Sequence, residues 1–156
     1  MRTAIWNSML DADMNAKYWK YLVNRYSARD KGFKIFLAVM ASGTVAGWGL
    51  WEELPWLWKS LSSISAIIAI CAPILNYQKS IEQMSLLAGT WGELRIEYDD
   101  LWRQVRNHAE PEALERAYRK FKKIESTLQK KETKLPDDKA LIIKCFEEVK
   151  KSRGLD

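Results

Sequence analysis

Two stretches without a single charged side chain constrain this chain more than anything else in it. Residues Ile35–Trp51 carry no charge over 17 positions, and Ser60–Gln78 carry none over 19. Elsewhere the chain is densely charged, and 29% of all residues are Asp, Glu, Lys or Arg. An α-helix rises 1.5 Å per residue, so crossing a hydrocarbon core of about 30 Å takes roughly 17–25 residues. Both runs reach the short end of that range. A pair of buried helices in a water-soluble bundle is the alternative reading.

Three features favour lipid. Residues 1–34 hold seven Lys and Arg against three acidic residues, residues 79–156 hold 17 against 15, and the connection Trp51–Lys59 holds Glu52, Glu53 and a single lysine. The positive-inside rule then places both termini in the cytoplasm and the short connection outside. Aromatic residues crowd the run ends: Trp48, Trp51, Trp56 and Trp58 near the connection, and Tyr26, Phe33, Phe36 and Tyr77 at the opposite ends. Such rings prefer the headgroup level. Small residues recur four apart, with Gly43 and Gly47 forming a GxxxG pair suited to close helix packing. In the second run Ser62, Ser65, Ala69, Ala72 and Asn76 fall on one helical face. That stripe either packs against another helix or lines a wet pore.

The flanking segments read as helices. Trp6, Met9, Leu10, Met14, Tyr18, Tyr21 and Leu22 recur at helical spacing within Ala4–Asp30. This amphipathic helix either lies on anionic lipid or packs on downstream helices. After the second run, Met84, Leu87, Trp91, Leu94, Tyr98, Leu101 and Val105 alternate in steps of three and four. This heptad stripe predicts a helix to about His108 and a seam for pairing copies of the chain. Leu114, Ala117, Phe121, Ile124 and Leu128 continue the same rhythm after Pro111, which suits a first helical turn. Two such helices joined by a tight break pair antiparallel. Lys130–Asp138 reads as a linker, and Asp137 or Asp138 caps a last helix, Lys139–Ser152, buried through Leu141, Cys145, Phe146 and Val149. Gly154 stops it. The expected fold is an all-α membrane protein: an N-terminal amphipathic helix over residues 1–32, a transmembrane hairpin over 33–78 and a cytoplasmic helical domain over 79–156.

Signals for chemistry are sparse. Two cysteines, Cys71 and Cys145, cannot make a disulfide framework and read as free thiols. With one histidine there is no paired metal-ligand spacing, and no phosphate loop or nucleophile elbow is present. No cofactor and no metal are expected. The basic run Arg116–Lys123 reads as a solvated helix face, so nucleic acid is not an expected partner. Arg103 precedes His108 by five positions, a spacing that resembles the R-x4–6-H motif of HEPN-type RNases. With nine arginines in 156 residues, chance accounts for such a match easily. A histidine at a helix C-terminus also interacts favourably with the helix dipole. The expectation is that the chain is not an enzyme.

The whole arrangement resembles the SLATT family, two-transmembrane effectors associated with bacterial nucleotide-signalling and phage-defence systems. The resemblance is carried by Tyr18–Trp51, with Arg25-Tyr26-Ser27-Ala28-Arg29 leading into the first run. It continues in Asn76–Val105, with Trp91-Gly92-Glu93-Leu94 and Tyr98-Asp99-Asp100-Leu101-Trp102. It implies a homo-oligomeric, pore-forming protein of the bacterial inner membrane that permeabilises the bilayer in antiviral defence. Its partners would be lipid, copies of itself and an upstream defence-system sensor or nucleotide signal. A membrane-anchored RNase and a passive membrane scaffold are the rival expectations.

Overall fold

The computed structural model describes residues 1–46, 55–75 and 77–155, with side chains for 1–40, 56, 59–61, 63–70 and 77–155. Five helices account for nearly all of them: α1 Arg2–Ala46, α2 Pro55–Leu75, α3 Tyr77–Arg106, α4 Pro111–Glu132 and α5 Lys139–Ser152. No strand occurs among the described residues. The protein is all-α, as its periodicity predicts. The chain divides into two compact units, one made of Met1–Val23 with Glu82–Asp156, the other of Asn24–Ile81.

The first unit is a helical bundle. Its core includes all seven members of the α3 stripe, from Met84 to Val105. Against them stand Leu114, Phe121 and Leu128 of α4, and Leu141, Cys145 and Val149 of α5. α3 and α4 run antiparallel: Trp91 bonds to Glu132, whereas Tyr98, seven residues further on, bonds to Glu125, seven residues back. The α3 seam expected to join copies of the chain is therefore filled by the chain's own helices. Oligomerisation through it would require the bundle to open.

The N-terminal part of α1 packs on these downstream helices, which settles the alternative left open by its sequence. Its buried face is Ile5, Ser8, Met9, Ala12, Asp13, Tyr18, Trp19 and Leu22. Of the stripe read from hydrophobicity, Met9, Tyr18 and Leu22 belong to this face, whereas Trp6, Leu10, Met14 and Tyr21 lie at the margin or in solvent. Ser8 and Ala12 are buried because short side chains let a neighbouring helix approach. Phe146 is likewise corrected: it is 52% exposed, being one position out of phase with Leu141, Cys145 and Val149.

The helix ends follow their sequence signals. Pro111 opens α4. Asp138 caps α5, its carboxylate accepting from the Leu141 N–H at 3.0 Å. α4 runs on to Glu132, so the linker is shorter than the charge run Lys130–Asp138 suggests. Gly154 closes α5 with φ +65°, its N–H bonding to Lys151 and that of Leu155 to Lys150. This is the left-handed closure that glycine adopts without steric cost.

The second unit, Asn24–Ile81, contains the apolar runs. Tyr77 meets Tyr26 at 5.8 Å and Phe33 at 6.0 Å between ring centroids, and Arg29 lies over the Tyr26 ring. Three of the four aromatic residues predicted at those ends of the two runs, Tyr26, Phe33 and Tyr77, thus come together. Lys34 pairs with Asp30 one turn back. Among the described residues no helix is long and apolar enough to cross a membrane. The transmembrane hairpin expected over 33–78 therefore rests on the sequence pattern alone, and Gly47–Leu54 and Asn76 lie outside the described residues.

Candidate functional site

The buried polar groups of the bundle gather in three knots. In the first, Arg153 donates through Nη1 to Asp99 Oδ1 at 3.0 Å and through Nη2 to Asp99 Oδ2 at 3.4 Å. The same Nη2 reaches Asp13 Oδ2 at 3.2 Å. Arg95 stands 3.8 Å from the other Asp13 oxygen, too long for a hydrogen bond. That oxygen and Arg95 Nε are both buried without a hydrogen-bond partner among the described residues. The hydrogen bonds from Arg153 to Asp99, with the charges of both aspartates, outweigh desolvation and hold the guanidinium more firmly protonated than usual.

In the second knot Tyr98 donates to Glu125 at 2.6 Å, and Lys122 pairs with the other oxygen of the same carboxylate. Ser8 and Tyr118 share a hydrogen bond at 3.3 Å nearby. Burial, reinforced by the Glu125 hydrogen bond, raises the Tyr98 phenol well above its ordinary pKa. In the third, the indole N–H groups of Trp19 and Trp91 both donate to Glu132 Oε1, at 2.9 and 2.6 Å. One carboxylate oxygen thus ties α1 to α3 through α4. Beside it Tyr18 donates to Asp137 at 3.3 Å and accepts from the Asp138 N–H at 3.0 Å. A cleft of about 350 Å³ opens here, lined by Tyr18, Trp19, Glu132 and Asp137 among others.

Burial pushes the Tyr18 phenol up to about 12, with the Asp137 charge adding to the rise. A folded-state pKa above the unfolded value near 10 gives stability that is complete below pH 10 and lost as pH climbs through 12. Two pKa units correspond to about 3 kcal/mol for a fully desolvated group, and solvent screening at this partly open phenol brings the effect to about 1–2 kcal/mol. Relative to Tyr18→Phe, the wild-type chain should lose about that much between pH 9 and pH 12.5. Urea titrations at stepped alkaline pH read the difference, and parallel curves would dissociate Tyr18 from it.

Arg103 and His108 lie at the C-terminal end of α3. Arg103 is exposed and bridged to Asp100 at 3.0 Å. His108 is exposed just beyond α3, with φ 58°. Its N–H bonds to the Val105 carbonyl and that of Ala109 to Gln104, the same paired closure that Gly154 makes for α5. A left-handed conformation costs a residue with a Cβ about 1–2 kcal/mol. His108→Gly should therefore stabilise the bundle by about 1 kcal/mol, seen as a raised melting temperature, whereas Gly154→Ala should lower it by a similar amount.

Of the predicted pore-lining residues, Ser65 is half-buried and Ala69 exposed, while the side chains of Ser62, Ala72 and Asn76 lie outside the described residues. So does any side-chain packing at Gly43, and Gly47 lies outside entirely. Cys145 is a buried free thiol, its pKa raised first by burial and then by Glu148. Among the described residues no group of acidic, His or Cys side chains is arranged to hold a metal ion. The sequence reading missed Glu125, Glu132, Asp13 and Arg153. A signal existed for Glu125, which sits in phase with Phe121 and Leu128. Another lay in the two tryptophans, since a buried indole N–H needs an acceptor. Comparison with protein-family models, with curated proteins and with solved structures finds no match.

Proposed function

We propose that this chain is a bacterial inner-membrane effector whose Asn24–Ile81 segment enters the bilayer and, in several copies, permeabilises it in antiviral defence. One observation carries the reading. Large apolar side chains are exposed at several of the described positions of that unit: Val39 is 60% exposed, Ile67 61%, Trp56 66% and Ile70 67%, with Ile35 and Ile64 also exposed. Water is a poor solvent for such a set, and contiguous exposed apolar surface marks a membrane or interaction site. The basic flanks and the cluster of Tyr26, Phe33 and Tyr77 fit a headgroup boundary at that end. The trigger, a partner sensor or a nucleotide signal, rests on the family resemblance.

The test is flotation of purified protein with liposomes, combined with release of an entrapped dye. Flotation with dye release is the expected result, and Ser65→Leu should reduce release without reducing flotation. A passive scaffold is the second reading, favoured by the burial of the α3 seam inside one chain. It predicts flotation with the dye retained. Protein that stays at the bottom of the gradient defeats both. His108→Ala should leave dye release and cellular toxicity intact, which an RNase would not.

A further inference from the structure

A groove of about 500 Å³ runs between α3 and α4 on the bundle, a size typical of small-molecule sites. Its apolar wall is aliphatic, made of Leu86, Leu87, Leu128 and Leu135. Lys130, Lys131 and Lys134 line it where α4 ends and the connection to α5 begins. All three are exposed, and none makes an ion pair among the described residues. The remaining lining is uncharged: Gln83, Thr90 and Thr127. Thr90 and Thr127 each spend their hydroxyl proton on a carbonyl of their own helix.

We propose that this groove binds a single-chain anionic amphiphile, a free fatty acid, with its acyl chain along the leucines and its carboxylate among the three lysines. Charge complementarity selects the head, because the lining includes three cations and no acid. The wall selects the tail. With no aromatic side chain in it there is no stacking platform for a nucleobase, whereas leucine side chains match a hydrocarbon chain. Leu86 is 61% exposed, so an occupant would remove from water an apolar side chain that the fold itself leaves open. The groove is built wholly from bundle residues, so binding there does not depend on Asn24–Ile81 entering lipid.

The test is photolabelling of the full chain in nonionic detergent with a diazirine-bearing palmitate, followed by mapping of the adducts by mass spectrometry. Adducts are expected in the peptides carrying Leu86–Thr90 and Thr127–Leu135. The corresponding uncharged alcohol should label those peptides about tenfold less, as should palmitate on Lys131→Glu/Lys134→Glu, the size of one lost charge-assisted contact. These lysines are exposed, and an unchanged melting curve checks that the variant is folded. Equal labelling by the alcohol, labelling confined to Asn24–Ile81, or no labelling overturns the assignment. Displacement by a single-stranded oligonucleotide but not by unlabelled palmitate would overturn it in favour of a polyanion site.

Discussion

Arg153→Met is expected to destabilise the bundle by about 3–5 kcal/mol, the usual result of removing one partner from a buried ion pair. Asp13 is 4% exposed, and among the described residues Arg153 supplies the one hydrogen bond it accepts from a cation. Methionine keeps most of the side-chain volume but leaves Asp13 with Arg95 alone, at 3.8 Å. The cost is large against the 5–15 kcal/mol that holds a typical domain together. A urea titration followed by tryptophan fluorescence reads it as an earlier midpoint. Adding Asp13→Asn and Asp99→Asn should recover much of the loss, since the stranded charges go with the guanidinium. A single variant as stable as wild type would mean that water or another cation already solvates Asp13.

Leu94→Asp separates the two uses to which the α3 stripe could be put. Leu94 is buried among the chain's own helices, so an aspartate there is an unpaired charge in a core that has also lost a leucine. Losing the leucine alone costs about 2–5 kcal/mol, and the buried charge adds several more. The expected outcome is loss of the cooperative unfolding transition at every protein concentration. A seam between copies would behave differently, giving a folded chain of lower mass whose stability no longer rises with concentration. Circular dichroism and sedimentation on the same sample distinguish these results.

The elements themselves were legible because charge and apolar spacing mark them. The α3 stripe reads without error, since seven apolar residues in steps of three and four leave one face for a helix to bury. What such a stripe cannot specify is its partner: the same spacing serves a second copy or the next helix of the same chain. The N-terminal face is legible only in part: Met9, Tyr18 and Leu22 of its stripe are buried, and the rest of the face escapes hydrophobicity for another reason. Ser8, Ala12 and Asp13 are buried by close approach and by a salt link to a residue near the far end of the sequence, and neither raises local hydrophobicity. His108 was conspicuous as the lone histidine, yet its place is decided by backbone closure of α3. The groove lysines are invisible as a group because the sequence reading ends α4 before Lys130, whereas the helix runs on to Glu132 and brings Lys130 and Lys131 beside α3.

Asp13 and Arg153 lie 140 positions apart, and the bundle joins Met1–Val23 to Glu82–Asp156 across the whole of Asn24–Ile81. Ribosomes add roughly 5–20 residues per second, so the first helix waits for seconds before its packing partners have been made. During that interval the apolar stretches have already left the exit tunnel while the fold that will flank them in sequence is half complete. Synthesis order thus leaves Asn24–Ile81 fully made before the bundle on either side of it can close, and the clasp between Asp13 and Arg153 can form only after that whole segment has been synthesised.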